Sequence, residues 1–129
     1  MAKALAALNV NEIPFELLNG NVQGYARKRE IAVSPIAALP LKTTFHELAH
    51  LVLGHTTEGD VNDGEALARN IREVEAEAVA LICCESLRID GPEYCRGYIQ
   101  DWLSGGSIPE RSAQRIFRAA DQILRAGEA

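Results

Sequence analysis

The sequence predicts an α+β fold, a small antiparallel sheet followed by about four helices, and three observations predict it. Short apolar stretches separated by turn residues crowd the first 35 positions. From Pro40 onward the apolar residues instead recur at intervals of three and four, the helical spacing. No internal repeat or low-complexity tract divides the chain. Its 129 residues therefore read as a single domain, 1–129. A domain of that size can bury about two-thirds of its unfolded surface.

Taken in order, residues 1–10 read as a short helical or frayed lead-in, and Ile13–Leu18, Val22–Arg27 and Glu30–Ser34 read as strands. Asn19-Gly20-Asn21 can supply the positive φ of the first turn, and the charged Arg27-Lys28-Arg29 forms the second. Ser34-Pro35 ends the sheet. Pro40 is placed to open a helix reaching Val52 or Leu53, with Gly54 as its stop. Thr56–Glu65 is polar, acidic and glycine-bearing, a surface loop. Its Asp60, Asn62 and Gly64 fall out of step with a calcium-binding loop, whose glycine belongs at the sixth position. A second helix runs from about Ala66 to Leu87, since Leu67, Ile71, Val74, Ala78, Leu81 and Ile82 share one face. Asp90 with Glu93 caps a third helix ending near Leu103. Ser107 with Glu110, around Pro109, opens a fourth carrying Ile116, Ala120, Ile123 and Leu124.

Hydrophobic residues make up 47% and charged residues 24%, a globular mix that excludes a disordered or collagenous chain. The longest apolar run, Ala78 to Cys84, is too short to span a bilayer, and the first residues lack a secretory signal, so a cytoplasmic protein is expected. The net charge of -5 is concentrated in the middle: residues 46–104 sum to -8, against +2 before them and +1 after. Such an acidic chain is a poor stand-alone binder of nucleic acid. Three cysteines, Cys83, Cys84 and Cys95, match neither a disulfide framework nor paired zinc ligands and read as buried or free thiols of a reducing compartment.

The chemistry lies in Phe45-His46-Glu47-Leu48-Ala49-His50, which contains H-E-x-x-H within the first long helix. At about 100° per residue the two histidines stand about 40° apart, one turn above the other, so both imidazoles can reach one cation. Glu47 is displaced from His46 by about 100°. That position suits a base that takes a proton from a metal-activated water and does not suit a ligand. Leu48, Ala49, Leu51, Val52 and Leu53 make the helix largely buried, an awkward setting for unpartnered histidines. The competing reading is two satisfied histidines and an ordinary ion pair.

A catalytic zinc takes three protein ligands and leaves a position open. Arg72–Ala80 offers Glu73, Glu75 and Glu77. On a helical wheel Ile71, Val79 and Ile82 fall within about 40° of Glu75, which therefore points into the apolar face. An unpaired carboxylate there is heavily penalised, whereas a divalent cation makes its burial favourable. Glu75 is the expected third ligand beside His46 and His50, with a buried ion pair to an arginine as the alternative. Glu73 and Glu77 point the other way, towards solvent or, for Glu77, towards a hydrogen bond with a histidine ligand. His55 would converge on the metal only if the chain turned at Gly54, and an interaction with the helix C-terminus is expected instead.

The stretch PLKTTFHELAHLVLGHT, followed by REVEAEAVA, resembles the zincin-like metallopeptidase domain of ArdC-type antirestriction proteins, found on conjugative plasmids and other mobile elements. It is more distantly similar to the ImmA/IrrE family of regulatory metallopeptidases. The resemblance covers residues 12–126, including GYARKREIAVSP and SIPERSAQRIFRAADQIL. It implies a zincin-like fold and a role in protecting incoming DNA or processing a host protein. It also implies a ligand role for Glu75, from a second motif of the form E-A-N/D-x-x-A, with Glu77 departing from the Asn or Asp of the distant family. ArdC-type proteins carry an amino-terminal single-stranded-DNA-binding domain for which this chain has no room, so DNA is expected only through a domain absent from it.

The expected activity is that of a zinc-dependent peptidase acting on a protein or peptide: His46, His50 and Glu75 hold Zn2+, and Glu47 takes the proton as water attacks a peptide carbonyl. Tyr25, Tyr94, Tyr98 and the arginines are all eligible to stabilise the oxyanion, and the sequence selects none. Two other classes stay open. One is a metal-stabilised interaction module that binds a restriction or repressor protein with little turnover. The other is DNA binding through Arg27–Arg29 and the helix of Arg111, Arg115, Arg118 and Arg125.

Overall fold

A computed structural model describes residues 1–15, 24–35, 37, 39–55, 69–103 and 106–127. The Asn19-Gly20-Asn21 turn and the Thr56–Glu65 loop lie outside them. Among the described residues the chain is α+β, with helices α1 (Ala2–Ala7), α2 (Pro40–Val52), α3 (Arg69–Leu87), α4 (Pro92–Leu103) and α5 (Glu110–Gly127). Three short strands, β1 (Asn11–Glu12), β2 (Gly24–Arg27) and β3 (Glu30–Val33), form one sheet in the order β1-β3-β2.

The sheet is mixed, which corrects the expectation of an antiparallel one. β2 pairs antiparallel with β3 through the Lys28-Arg29 turn, where Lys28 takes a φ of 51°. β1 pairs parallel with β3, Asn11 opposite Glu30 and Glu12 opposite Ile31. Two reversals of direction leave β1 and β3 running the same way whichever strand is central. β3 takes the centre because its Ile31 and Ala32 are fully buried, while β1 is two exposed residues. Among the described residues the first strand lies earlier than the expected Ile13–Leu18, whose residues 16–18 fall outside them, and Ile13 donates its amide to the Ile31 carbonyl at 2.8 Å.

The helices follow the expected boundaries closely. Pro40 stands in the first turn of α2, where its missing N–H costs nothing. α3 is the hub, packing against α2, α4 and α5. Consequently its residues from Val74 to Ala80 are buried without interruption, on every side of the helix rather than along one stripe. The core joins Ile31 of β3, Phe45 and Leu48 of α2, Val79 and Cys83 of α3, Cys95 of α4 and Ile116 and Ile123 of α5. The three cysteines are free and buried, and burial pushes the Cys83 and Cys95 thiols up to about 12, so they pack as small apolar groups. Among the described residues no helix is long and apolar enough to cross a membrane.

Candidate metal centre

The site lies where β2, α2 and α3 meet. Gly24 permits that meeting, because a Cβ there would fall 2.8 Å from Thr43 Cγ2 and 3.3 Å from Glu47 Cγ. Without a side chain, β2 lies directly against α2 and walls a cleft of about 360 Å³ lined by Gly24, Tyr25, Ala26, His50, Arg72 and Glu73, among others. His46 and Glu47 line both this cleft and a neighbouring one of about 200 Å³ that Lys42, Glu77 and Tyr98 close.

His46 and His50 converge as the helical spacing requires, their Nε2 atoms 3.1 Å apart. The carboxylate that meets them belongs to Glu73. Its Oε2 is 3.0 Å from His50 Nε2 and its Oε1 is 3.4 Å from His46 Nε2. One donor atom from each of these three residues lies within 4.8 Å of the others, a group that could hold a metal ion. Burial opposes charge on His46, but Glu73 and Glu77, with help from Glu47, outweigh it and push the imidazole up to about 9. Against the same desolvation, the two histidines hold Glu73 well below the usual carboxylate range. A pocket that keeps a proton on a buried imidazole near neutrality has an excess of negative charge, which a divalent cation would satisfy.

Each histidine is backed by a further group. His46 Nδ1 lies 2.6 Å from Glu77 Oε1, and the same oxygen lies 3.0 Å from Lys42 Nζ. Lys42 in turn sits 4.6 Å above the Tyr98 ring. Burial works to raise the Glu77 carboxyl, yet His46 and Lys42 keep it below its ordinary value. On the other side His50 Nδ1 lies 2.9 Å from His55 Nδ1, whose Nε2 lies 2.8 Å from Glu75 Oε1. The turn at Gly54 makes this contact. With φ at 81° there, the His55 amide donates back to the His50 carbonyl at 2.8 Å and the side chain swings under the helix end. Burial pushes His55 below the usual imidazole range, more than Glu75 offsets.

The structure places Glu73, and not the expected Glu75, beside the imidazole pair. Glu75 is fully buried, as the wheel requires, but it faces His55, Ser112 and Arg115 rather than the imidazole pair, with Arg115 Nη2 3.6 Å away. Burial raises its pKa, and His55, Ser112 and Arg115 more than compensate, so it stays ionised. The wheel assumed one buried face. α3 has several, and the face carrying Glu73 and Glu77 looks at α2 instead of solvent. The angle of a continued helix carries His55 away from His50, but the helix stops at Gly54 and the turn there brings the two rings together.

Glu47 is 8% exposed and stands at the junction of the two clefts. Burial raises its carboxyl above the ordinary value, and Glu73 and Glu77 add to that against the opposing pull of His46 and His50. Of the tyrosines, Tyr25 lines the larger cleft and Tyr98 the smaller. Tyr94 is exposed and lines neither.

Fold and site together define an α+β chain in which a H-E-x-x-H helix and a carboxylate from the next helix form a group able to take a metal. Comparison with family models, with curated proteins and with solved structures finds no match.

Proposed function

We propose that the chain is a zinc-dependent metallopeptidase with a zincin-like active site, in which His46, His50 and Glu73 are the ligands and Glu47 is the general base. The spacing of the donors carries this reading. Three ligand atoms around a tetrahedral zinc stand about 3.3 Å apart. Here the two imidazole Nε2 atoms are 3.1 Å apart, and the Glu73 carboxylate reaches each through a different oxygen, Oε2 at 3.0 Å from His50 and Oε1 at 3.4 Å from His46. The group opens on a cleft and, among the described residues, no fourth side chain closes it, which suits catalysis better than a purely structural site.

Zinc held there would supply a Lewis acid that acidifies water and polarises a carbonyl. The protein's own part follows from its geometry. Glu47, adjacent to the ligands and inside both clefts, takes the proton from the attacking water and passes it to the leaving amine. Among the described residues β2 is an edge strand of the sheet and its Gly24, Tyr25 and Ala26 wall the cleft, so an extended peptide can pair along it beside the ligands. That edge favours a peptide substrate over a small ester or amide. Tyr25, Arg69 and Arg72 line this cleft and are eligible to stabilise the oxyanion.

The resemblance of PLKTTFHELAHLVLGHT and REVEAEAVA to ArdC-type domains supports an antirestriction role on a mobile element, and the free buried thiols suit the cytoplasm. Glu47→Gln tests the enzymatic reading, with zinc content and cleavage of a fluorogenic peptide library both measured. One zinc per chain is expected in wild type and variant alike, with cleavage slowed by about 10²–10⁴ in the variant. A zinc-loaded wild type that cleaves nothing, or a variant that cleaves as fast, refutes the peptidase and leaves a metal-stabilised binding module.

A further inference from the structure

We infer that His55 and Glu75 form a two-step relay that positions His50 for the metal, with Arg115 anchoring its far end. The inference rests on the metal reading above and deepens it, because it assigns work to the two most deeply placed polar groups near the site that the reaction itself does not use. The side chains of His55 and Glu75 are 4% and 0% exposed. Burial of that degree removes two ionisable groups from water and needs a compensating arrangement.

The hydrogen atoms in the relay can be placed by elimination. A metal ligand must present a lone pair, so His50 coordinates through an unprotonated Nε2 and carries its hydrogen on Nδ1. That hydrogen faces His55 Nδ1 at 2.9 Å, which must then be the acceptor. The His55 hydrogen is consequently on Nε2, where it donates to Glu75 Oε1 at 2.8 Å. This assignment gives His50 Nδ1 and both His55 ring nitrogens a partner. It also rules His55 out as a ligand, since its only lone pair is engaged on the side of His50 away from the metal group.

Two physical effects follow. The relay fixes the His50 ring about its side-chain torsions, so the ring need not be ordered when metal arrives. It also polarises the ring, because a carboxylate acting through an imidazole makes His50 Nε2 a better donor. Arg115 holds the carboxylate end at 3.6 Å while donating to the Leu53 carbonyl at 2.7 Å, which ties α5 to the end of α2.

Zinc affinity, measured against a chromophoric chelator, and the visible absorption of the cobalt-substituted chain test the relay, with thermal unfolding of the metal-free proteins as a control. His55→Phe preserves the ring and removes both hydrogen bonds. It is expected to weaken zinc binding about 10–100-fold and to shift the cobalt bands. His55→Gln, which keeps an acceptor and a donor on one amide, should recover most of the loss. A folded His55→Phe with wild-type affinity and unchanged bands overturns the relay and leaves His55 a cement between α2 and α3. Should His55→Phe fail to fold, Glu75→Gln decides. It keeps size and hydrogen bond and loses only charge. Zinc binding weakened roughly 3–10-fold with shifted bands supports the relay, and unchanged values overturn it. A wild type that takes up neither zinc nor cobalt removes the metal reading and the relay with it, which is distinct from a wild type that loads and variants that load equally well.

Discussion

His46 and His50 leave the same helix one turn apart and meet at their Nε2 atoms, yet their far sides are held in opposite ways. Behind His46 a single carboxylate, Glu77, is shared with Lys42, and the whole arrangement stays between α2, α3 and the Tyr98 ring of α4. Behind His50 the carboxylate is one imidazole further away, fully buried, and tied through Arg115 into α5. The first support is short and coulombic. The second is long, neutral in its middle link, and bound up with the packing of three helices. Charge changes should therefore act on His46, and changes to the fold should act on His50.

The largest effect that would break this comparison concerns the carboxylate between the two histidines. Glu73→Ala removes the carboxylate proposed as a ligand, and zinc affinity is expected to fall on the order of a thousandfold. Glu75→Ala leaves the ligand set intact but strips His55 and Arg115 of a buried partner. It is expected to retain one zinc per chain and to lose about 3 kcal/mol of stability. Metal analysis after dialysis, together with denaturant melts, separates the two. Zinc lost from Glu75→Ala and kept by Glu73→Ala would reinstate Glu75 as the ligand.

The contrast between those glutamates also marks how far the sequence could be read. The H-E-x-x-H pair, the Pro40 start and the Gly54 stop of α2 depend on local geometry, and local geometry is what spacing encodes. The choice among Glu73, Glu75 and Glu77 depends on which neighbours surround α3. A wheel centred on Glu75 detects burial, and Glu75 is indeed buried, but a helix covered on several sides can bury a carboxylate far from the histidine pair. The alternative of an ion pair with an arginine describes its Arg115 neighbour better. In the same way, β2 and β3 were legible as strands and β1 was not, while the central place of β3 was decided by burial of Ile31 and Ala32 and not by any turn signal.

A second, intermediate effect sharpens the comparison through pH in the metal-free chain. His46 is raised from 6.5 to about 9. Its contribution to stability is complete below 6.5 and is lost as pH rises towards 9. His55 is lowered from 6.5, so its contribution runs the other way: present above 6.5 and lost as pH falls. Glu73 and Glu77, both lowered from 4.5, add a further loss below that value. The metal-free protein should therefore be most stable near pH 6.5–7 and lose on the order of 1–3 kcal/mol by pH 9. His46→Asn should flatten the alkaline limb, and His55→Asn should reduce the acid one. Thermal melts across pH 5–10 measure both, and a metal-free stability that rises from pH 7 to 9 contradicts the account of His46.

The smallest effect isolates the anchor from the relay. Arg115 is 38% exposed in its side chain and sits 3.6 Å from Glu75, so the ion pair itself is screened and weak. Its firmer contact is the hydrogen bond to the Leu53 carbonyl at 2.7 Å, one of the last carbonyls of α2 that the helix cannot satisfy alone. Arg115→Gln should cost about 1 kcal/mol in denaturant melts. Zinc affinity should change by no more than about threefold, because His55 still holds the Glu75 carboxylate and the outer partner acts at one further remove from the ligand. If Arg115→Gln instead weakens zinc binding as much as His55→Phe does, then the position of α5, and not the pair of imidazoles, is what sets His50, and the two sides of the site differ only in how much of the fold each engages.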